Sequence, residues 1–489
     1  MGLRWFEHNR QAVLDALCRG EHPDLATNTA GGPLDELVAL HIELGVFDAL
    51  SGLTPARLRA GLPDFLLFCT LAVLPFLPFC SLDASARLLF REPAILLRIG
   101  WTAEQIQRGS NRRHRHRDGR QPESLPCHPD TLRDAFRRIE AQAWRAVQEK
   151  GVRSLFQRQL IRGKVYAIDG TAIGSRYRLV CLVCVSGQRP IIAAWRLLSG
   201  TASEKGKEAA VTRELIEQVL DAGGPNAIEL LLADALYADG PLFAWLVYHK
   251  GIDVLTPLPS DRLMFQDLMG LARRGLLKWT KHRYTRTISG HKSARTVMVA
   301  GTGGLDSWPS FREAAAGYGI SNPSLWAYLI QEIQPHEQPL SEAMALVSTR
   351  PWVNGFAAYQ GYRPRWHVEN DGYRELKEGW ELEKQAWGRD LAAMICRATL
   401  TILAFNTVEV YRTKAGQKLA KMGIRRLRQE CQRELGPAPG VVFVGEYYAV
   451  LSLEEILEAV GRPVKQGLRP QLAAPSAAAS ASAPGFRPP

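Results

Sequence analysis

The stretch KVYAIDG at residues 164–170 indicates how the middle of this chain folds. Its four apolar residues at 165–168 end at Asp169, which is the pattern of a short buried strand followed by an acid. Two further runs rich in Val, Ile, Tyr and Trp follow at 177–185 and 190–198, and short turns separate them. Three strand signals in such close succession predict an antiparallel meander.

The sequence after the meander alternates between helix and strand signals. A helical segment at 204–222 is stopped by two glycines, and an apolar run at 227–233 then ends at Asp234. Asp239 can cap a helix that ends before Gly251, and a last strand follows at 252–258. The order of three strands, helix, strand, helix and strand predicts an α/β sheet with an antiparallel edge.

Patterning and charge divide the rest of the chain. Residues 262–298 carry nine Lys or Arg and one acid, and strand-like runs recur as far as 348. The last 19 residues are mostly Ala, Ser and Pro, which cannot bury enough apolar surface to become ordered. The predicted regions are a helical N-terminal region at 1–160, an α/β core at 161–261 and 351–411, a β-rich basic insertion at 262–350, a basic helical region at 412–470 and a disordered tail at 471–489.

The charge balance predicts a polyanionic partner. Lys and Arg number 61 against 49 acids in 489 residues, so the formal net charge is +12. Such an excess favours nucleic acid or an anionic membrane surface. The arginine cluster at 108–120 and the basic run at 412–433 are the expected contacts to phosphates.

Other features argue against a membrane protein or a disulfide-stabilised one. The apolar stretch at 62–82 is long enough to span a bilayer, but it contains Asp64 and is interrupted by Pro75 and Pro78. We expect a buried helix that breaks at the prolines. Eight cysteines are too few for a disulfide scaffold, so a reducing cytosol is the expected compartment.

Acidic residues follow two of the predicted strands. Asp169 and Asp234 each end an apolar run, and strand ends of this kind face the ligand crevice of an open α/β sheet. Carboxylates that meet there can hold Mg²⁺, and Glu369 is the candidate third acid. Taken singly, an Asp after a strand is more often a turn or helix-cap residue than a ligand, and a Glu between Arg and Lys on a helix is usually part of a solvated ion pair.

The residues around Glu369 recur at a helical spacing. Arg365, Glu369, Tyr373 and Lys377 are four positions apart, so they are expected on one helix face, with the two cations facing phosphates. At about 100° per residue, Glu375 and Glu378 are expected to point away from the metal.

The acidic blocks resemble a known family. The segments at 166–171, 232–237 and 362–377 look like the three acidic blocks of DDE transposases, in the insertion-sequence branch with a Tyr-Arg-Glu-Lys motif. The resemblance implies a ribonuclease-H-like core with a mostly β insertion between the second Asp and the Glu. Here Glu369 stands 135 positions after Asp234.

The resemblance also implies roles for single residues. The implied catalytic acids, which would bind two Mg²⁺ or Mn²⁺ ions, are Asp169, Asp234 and Glu369. The implied contacts to DNA at the transposon end are Tyr362, Arg365 and Lys377. The family usually has its Lys seven positions after the Glu, whereas Lys377 stands eight positions after Glu369.

The implied activity is DNA transposition. Such a protein cuts one strand at each end of its element and joins the 3′ ends to target DNA, and it acts on double-stranded DNA as a homodimer assembled there. The N-terminal helical region is the expected reader of the element ends. Two alternatives remain open, a domesticated DNA-binding protein without catalytic activity and a metal-dependent nuclease without strand transfer.

Overall fold

The protein is a mixed α/β protein, described here by a computed structural model. The residues described are 6–28, 33–56, 61–79, 81–102, 105–106, 125–199, 208–288, 291–333, 343–414, 421–433, 435 and 439–460. The predicted arginine cluster at 108–120 and the predicted tail at 471–489 lie outside them. The chain divides into a smaller unit of Met1–Thr29, Phe90–Cys127 and Pro437–Pro489 and a larger unit of Ala30–Leu89 and His128–Gly436.

The described strands, in chain order, are β1 (Glu7–His8), β2 (Leu25–Asn28), β3 (Val165–Ile173), β4 (Tyr177–Cys184), β5 (Ile191–Ser199), β6 (Leu230–Ala233), β7 (Asp253–Pro257), β8 (Thr280–Ile288), β9 (His291–Leu305), β10 (Leu325–Ile333), β11 (Met344–Ser348), β12 (Gly440–Val444) and β13 (Tyr447–Leu451). The α-helices of the smaller unit are Arg10–Cys18, Pro93–Arg98 and Leu453–Ala459. Those of the larger unit are Pro33–Glu43, Val46–Leu50, Asp64–Val73, Leu82–Leu89, Pro129–Arg137, Ala141–Gln157, Glu208–Gly223, Gly240–Ala244, Leu263–Arg273, Pro309–Ala316, Gly355–Tyr362, Leu391–Lys414 and Ile424–Arg433.

The smaller unit contains a four-stranded sheet in the order β1-β13-β12-β2. Only helices were predicted in these parts of the chain, so the strands are a difference from the sequence analysis. The hairpin of β12 and β13 is favoured by β-branched and aromatic residues on both sides of Gly445, whose φ of +60° suits a tight turn. The sequence therefore contains a local signal for this hairpin.

The larger unit contains a nine-stranded sheet in the order β5-β4-β3-β6-β7-β11-β10-β9-β8. Strands β3, β4 and β5 form the predicted antiparallel meander, and β6 and β7 run parallel to β3. The predicted helix after Asp239 is also confirmed, because the Asp239 side chain caps it and Gly251 ends it at φ +69°. Strand β3 runs beyond its predicted end at Asp169 as far as Ile173.

The region predicted as a β-rich insertion continues the same sheet. Strand β11 pairs antiparallel with β7, and β10, β9 and β8 follow in turn. Without β11, strand β7 would leave its backbone N–H and C=O groups unpaired along one side. The inserted strands therefore complete the core sheet, and Trp308 packs in the interior against Phe243 and Phe311.

Parts of the predicted N-terminal region pack within the larger unit. Helix Pro129–Arg137 contacts the segment before the long helix Leu391–Lys414, where Phe136 stacks on Trp387 and Arg137 pairs with Asp390 at 2.9 Å. Because tertiary contacts of this kind join distant parts of the chain, the N-terminal 160 residues do not form one continuous unit.

Two apolar helices are buried. The stretch at 62–82 forms helix Asp64–Val73 and a 3₁₀ turn, Leu74–Phe76, that includes Pro75, which confirms the predicted break. By length and hydropathy the long helix Leu391–Lys414 could cross a membrane. However, 83% of its most apolar window is buried inside the protein, which is typical of a core helix.

Candidate active site

The register of the central strands brings Asp169 and Asp234 together. The parallel ladder between β3 and β6 ends with Ile168 opposite Ala233, so each Asp is the next residue after the last pair. Neighbouring strands are about 4.8 Å apart, so the two carboxylates start from adjacent backbone positions. Each Asp also accepts a 2.7 Å hydrogen bond at Oδ1 from the N–H of the following residue.

Asp169 is buried, and its environment changes its acidity. Only 8% of the residue is exposed, and burial raises the pKa of Asp169 to about 6. Arg365 and the Gly170 N–H act in the opposite direction and lower the pKa, whereas the charges of Glu369 and Asp234 raise it further. Two other acids therefore act electrostatically on Asp169, and a buried carboxylate whose pKa is changed in this way is typical of a functional site.

Glu369 lies on an irregular helix. A 3₁₀ turn at Arg363–Arg365 is followed by π-helical turns at Val368–Tyr373 and Glu375–Gly379, and we call residues 368–379 the π segment. A π turn closes i→i+5 hydrogen bonds and so contains more residues than an α turn. The angles predicted for a regular α-helix are therefore wrong here.

The π segment brings both Glu369 and Lys377 to one pocket. The wider turns offer a physical reason why a Lys eight positions after the Glu still shares its face. Glu378, which was predicted to point away, also lines this pocket. Glu375, for which the same orientation was predicted, pairs with Arg412 at 3.0 Å.

The pocket has a volume of about 460 Å³ and contains all three predicted acids. Five of its lining residues are acids and two are cations. The residues are Asp169, Gly170, Thr171, Asp234, Glu369, Tyr373, Arg374, Lys377, Glu378 and Glu383. In a chain with a net charge of +12, this local excess of carboxylates favours a cation.

The predicted DNA contacts have protein partners. Arg365 is only 6% exposed, and it donates from Nη1 to Asp169 Oδ2 at 3.2 Å and from Nη2 to Glu369 Oε1 at 2.8 Å. Tyr362 is 3% exposed and donates its hydroxyl to the Ala233 carbonyl at 3.2 Å. Lys377 pairs with Glu383 at 3.2 Å and is 26% exposed, so it is the most accessible of the three predicted contacts.

Tyr373 has a positioning role that the sequence analysis did not assign. It is 5% exposed, and its hydroxyl donates to the Asp169 carbonyl and accepts the Cys181 N–H at 3.2 Å. Asp169 and Cys181 are opposite each other in β3 and β4. Tyr373 therefore connects the π segment to the backbone of the strand that carries Asp169. The spacing placed Tyr373 on the face of Glu369, but it could not identify a backbone partner.

Two cations of the basic run at 412–433 also have internal roles. Arg412 is 6% exposed and pairs with Glu409 and Glu375. Arg428 is 4% exposed and donates to the Gly379 carbonyl at 2.6 Å and to the Leu77 carbonyl at 2.9 Å. Both side chains therefore contact the π segment and are buried there, although the charge pattern of the sequence predicts contacts to phosphates for them.

The chemistry of the three acids fits a hard divalent cation. Carboxylate oxygens are the ligands that Mg²⁺ and Mn²⁺ prefer. Among the described residues, no group of three His, Cys, Asp or Glu lies close enough together to hold an ion. The guanidinium of Arg365 lies between Asp169 and Glu369 instead.

No protein-family model matches this chain, and no curated protein matches it. Function is therefore inferred from the side chains of the pocket and their geometry.

Proposed function

We propose that this protein is a DDE transposase of the insertion-sequence branch with a Tyr-Arg-Glu-Lys motif. It would cut one DNA strand at each end of its element and join the 3′ ends to target DNA. One observation carries the proposal: Asp169, Asp234 and Glu369, which are far apart in the chain, line one pocket. Two of them directly follow the last residue pair of a parallel ladder at the centre of the sheet.

The strand order supports a ribonuclease-H-like core as part of this proposal. Counted along the chain from β3, the first five strands of the sheet lie in the order 3-2-1-4-5. The first three are antiparallel, and the fourth and fifth run parallel to the first. The family has this kind of core, and the inserted strands β8 to β11 extend it at the fifth strand.

The acids would hold two Mg²⁺ or Mn²⁺ ions. When bound, such ions activate water or a 3′ hydroxyl and stabilise the leaving oxygen. The protein's own groups supply the positioning. The Gly170 N–H fixes Asp169 Oδ1, Tyr373 holds the backbone of that residue, and Lys377 lies at the pocket where it can pair with a DNA phosphate in place of Glu383.

The proposed partner is double-stranded DNA, both the element ends and the target. We propose a homodimer assembled on that DNA, because two ends must be cut and joined. The net charge of +12 supports a polyanionic partner. Within the described part of the basic run, the exposed cations are Lys414, Lys421, Arg425, Arg426 and Arg433.

A second candidate is a domesticated DNA-binding protein without catalytic activity. The observation that favours it is the pairing of Arg365 with both Asp169 and Glu369, together with the lack of three grouped ligands among the described residues. In that case the acids would serve as internal ion-pair partners. Cleavage by the wild-type protein distinguishes the two candidates.

The test uses a plasmid that carries this gene with the DNA flanking it on both sides. Asp169→Asn, Asp234→Asn and Glu369→Gln should each abolish Mg²⁺-dependent cleavage at the element ends, while a gel-shift assay shows DNA binding retained. Asp239→Asn is the matched control, because Asn preserves the helix cap that Asp239 makes to the Leu242 N–H.

The outcomes separate the candidates. Near-normal cleavage by one of the three variants would remove that residue from the site. A wild-type protein that binds the flanking DNA but never cleaves it would favour the domesticated candidate.

A further inference from the structure

Arg365 holds two of the three acids with different nitrogens. Nη1 contacts Asp169 and Nη2 contacts Glu369, so the guanidinium bridges a residue of β3 and a residue of the π segment. Its side chain is 8% exposed, and the guanidinium carbon lies 5.6 Å from the centre of the Tyr362 ring. Arg365 is thus a buried positive charge at the oxygens that the proposed function assigns to a metal.

A divalent cation and this guanidinium compete for the same oxygens. The attraction of each cation for Asp169 and Glu369 is reduced when the other is present, and the two cations repel each other. Burial strengthens this effect, because the repulsion is poorly screened in a low-dielectric environment. The net charge of the acid pair is therefore partly cancelled before any metal arrives.

The bridge is exposed to solvent at one end. The Asp169 side chain is 12% exposed, whereas the Glu369 side chain is 48% exposed. A DNA phosphate that reaches the pocket can therefore compete with Glu369 for Nη2. Arg is well suited to such an exchange, because its planar fork matches phosphate oxygens as well as it matches carboxylates.

We propose that Arg365 is a charge placeholder, meaning a built-in cation that weakens divalent-cation binding at Asp169 and Glu369 until a DNA phosphate draws its guanidinium away. This inference rests on the proposed function. By linkage, DNA binding strengthens cation binding and cation binding strengthens DNA binding by the same factor. The metal site is then completed only when the substrate is in place.

Direct Mn²⁺ binding to the full-length protein tests the placeholder. Free Mn²⁺ is measured by electron paramagnetic resonance without DNA, for wild type, Arg365→Gln and Arg365→Lys. Arg365→Gln removes the charge and should tighten Mn²⁺ binding by about tenfold or more, since less repulsion opposes the ion. Arg365→Lys keeps the charge and should stay close to wild type.

Arg374→Gln is the matched control. Arg374 lines the same pocket and is exposed, and it pairs with neither Asp169 nor Glu369 in the described structure. The same loss of one charge there should change Mn²⁺ affinity much less. If Arg365 merely kept the two acids in place, Arg365→Gln would instead weaken Mn²⁺ binding, so the sign of the change decides.

A second measurement compares Mn²⁺ binding with and without DNA, and its wild-type result alone can overturn the placeholder. Adding a short DNA duplex at low salt should tighten Mn²⁺ binding to the wild-type protein, and this gain should be lost in Arg365→Gln. Unchanged Mn²⁺ affinity of wild type with and without DNA would overturn the placeholder, even if Arg365→Gln failed to fold.

Asp169→Asn separates this inference from the proposed function. If Asp169→Asn abolishes Mn²⁺ binding but Arg365→Gln leaves the affinity unchanged or weaker, the metal site stands and the placeholder is refuted. If the wild-type protein binds no Mn²⁺ that depends on Asp169, with or without DNA, the proposed function and the placeholder fail together.

Discussion

Replacing Arg412 by methionine should strongly destabilise the protein, although the charge pattern of the sequence assigned Arg412 to a DNA-binding run. The Arg412 side chain is 5% exposed, and its partner Glu409 is 2% exposed. Arg412 also donates to Glu375 of the π segment at 3.0 and 3.2 Å and to the Met422 carbonyl at 2.9 Å. Methionine has a similar volume but can neutralise neither acid.

The magnitude follows from the burial of Glu409. Removing one partner of a buried ion pair costs about 3–5 kcal/mol. Arg189, which is 36% exposed and lies 4.0 Å from Glu409, would compensate only part of the charge that Arg412 leaves behind. Glu375 is 23% exposed and adds less, because solvent screens it. Burial raises the pKa of Glu409 and Arg412 lowers it, so the variant should relieve its cost by protonating Glu409. The stability gap between the two proteins should therefore narrow as the pH falls into the range where Glu409 is protonated in the folded variant.

Urea unfolding of Arg412→Met and wild type, each at neutral and acidic pH, measures this gap. Arg426→Met is the matched control, because Arg426 is 70% exposed and its ion pair with Glu430 is long, at 3.8 Å. Its free energy of unfolding should therefore fall by less than about 1 kcal/mol. Arg412→Met combined with Glu409→Gln should regain part of the stability, since no charge is then left buried. If Arg412→Met were as stable as wild type and bound DNA with a smaller salt dependence, the internal role of Arg412 would be refuted. The predicted contact between Arg412 and a DNA phosphate would then be favoured.

Two further predictions concern stability. Burial lowers the pKa of His41 from 6.5 to about 3, so below pH 6.5 the histidine is protonated in the unfolded state but not in the folded state. At pH about 4.5 this difference should lower the free energy of unfolding by about 2.7 kcal/mol. His41→Asn keeps an N–H donor toward Thr407 but cannot titrate. Between pH 6.5 and about 4.5, its urea midpoint should therefore fall less than that of wild type. An equal fall in both proteins would contradict the lowered pKa of His41. Gly379→Ala should cost about 1–3 kcal/mol, because its Cβ would lie 2.0 Å from Cγ2 of the buried Ile424. Gly372→Ala in the same π segment would meet nothing nearer than 3.8 Å, so thermal melts in which it was the more harmful change would count against this packing.

Local patterns predicted the central strands well. The apolar runs that form β3, β4, β5, β6 and β7 are short, strongly hydrophobic and bounded by turn residues. The residues of each run are therefore enough to predict a buried strand. The acids that follow two of these runs could be predicted for the same reason. The cap at Asp239 and the helix end at Gly251 depend only on neighbouring residues and were also predicted correctly.

The partners of each segment could not be predicted in this way. The basic strands at 280–348 read as a separate insertion, because periodicity reports that a strand is half buried but not which strand lies beside it. Their place in the core sheet depends on the free edge of β7, which no local pattern records.

The polar contacts of the candidate site were decided only by the tertiary structure. A positive side chain next to a catalytic-type acid suits a phosphate or a carboxylate equally well, so the sequence could not show that Arg365 pairs with Asp169, 196 positions away. Nor could it show the π turns that bring Lys377 into the pocket of Glu369, because a regular helix was the only geometry that spacing alone could suggest. Residue types and local order thus came from the sequence, whereas the pairing of charges required the folded chain, because electrostatic partners are chosen by distance in space and by shared burial.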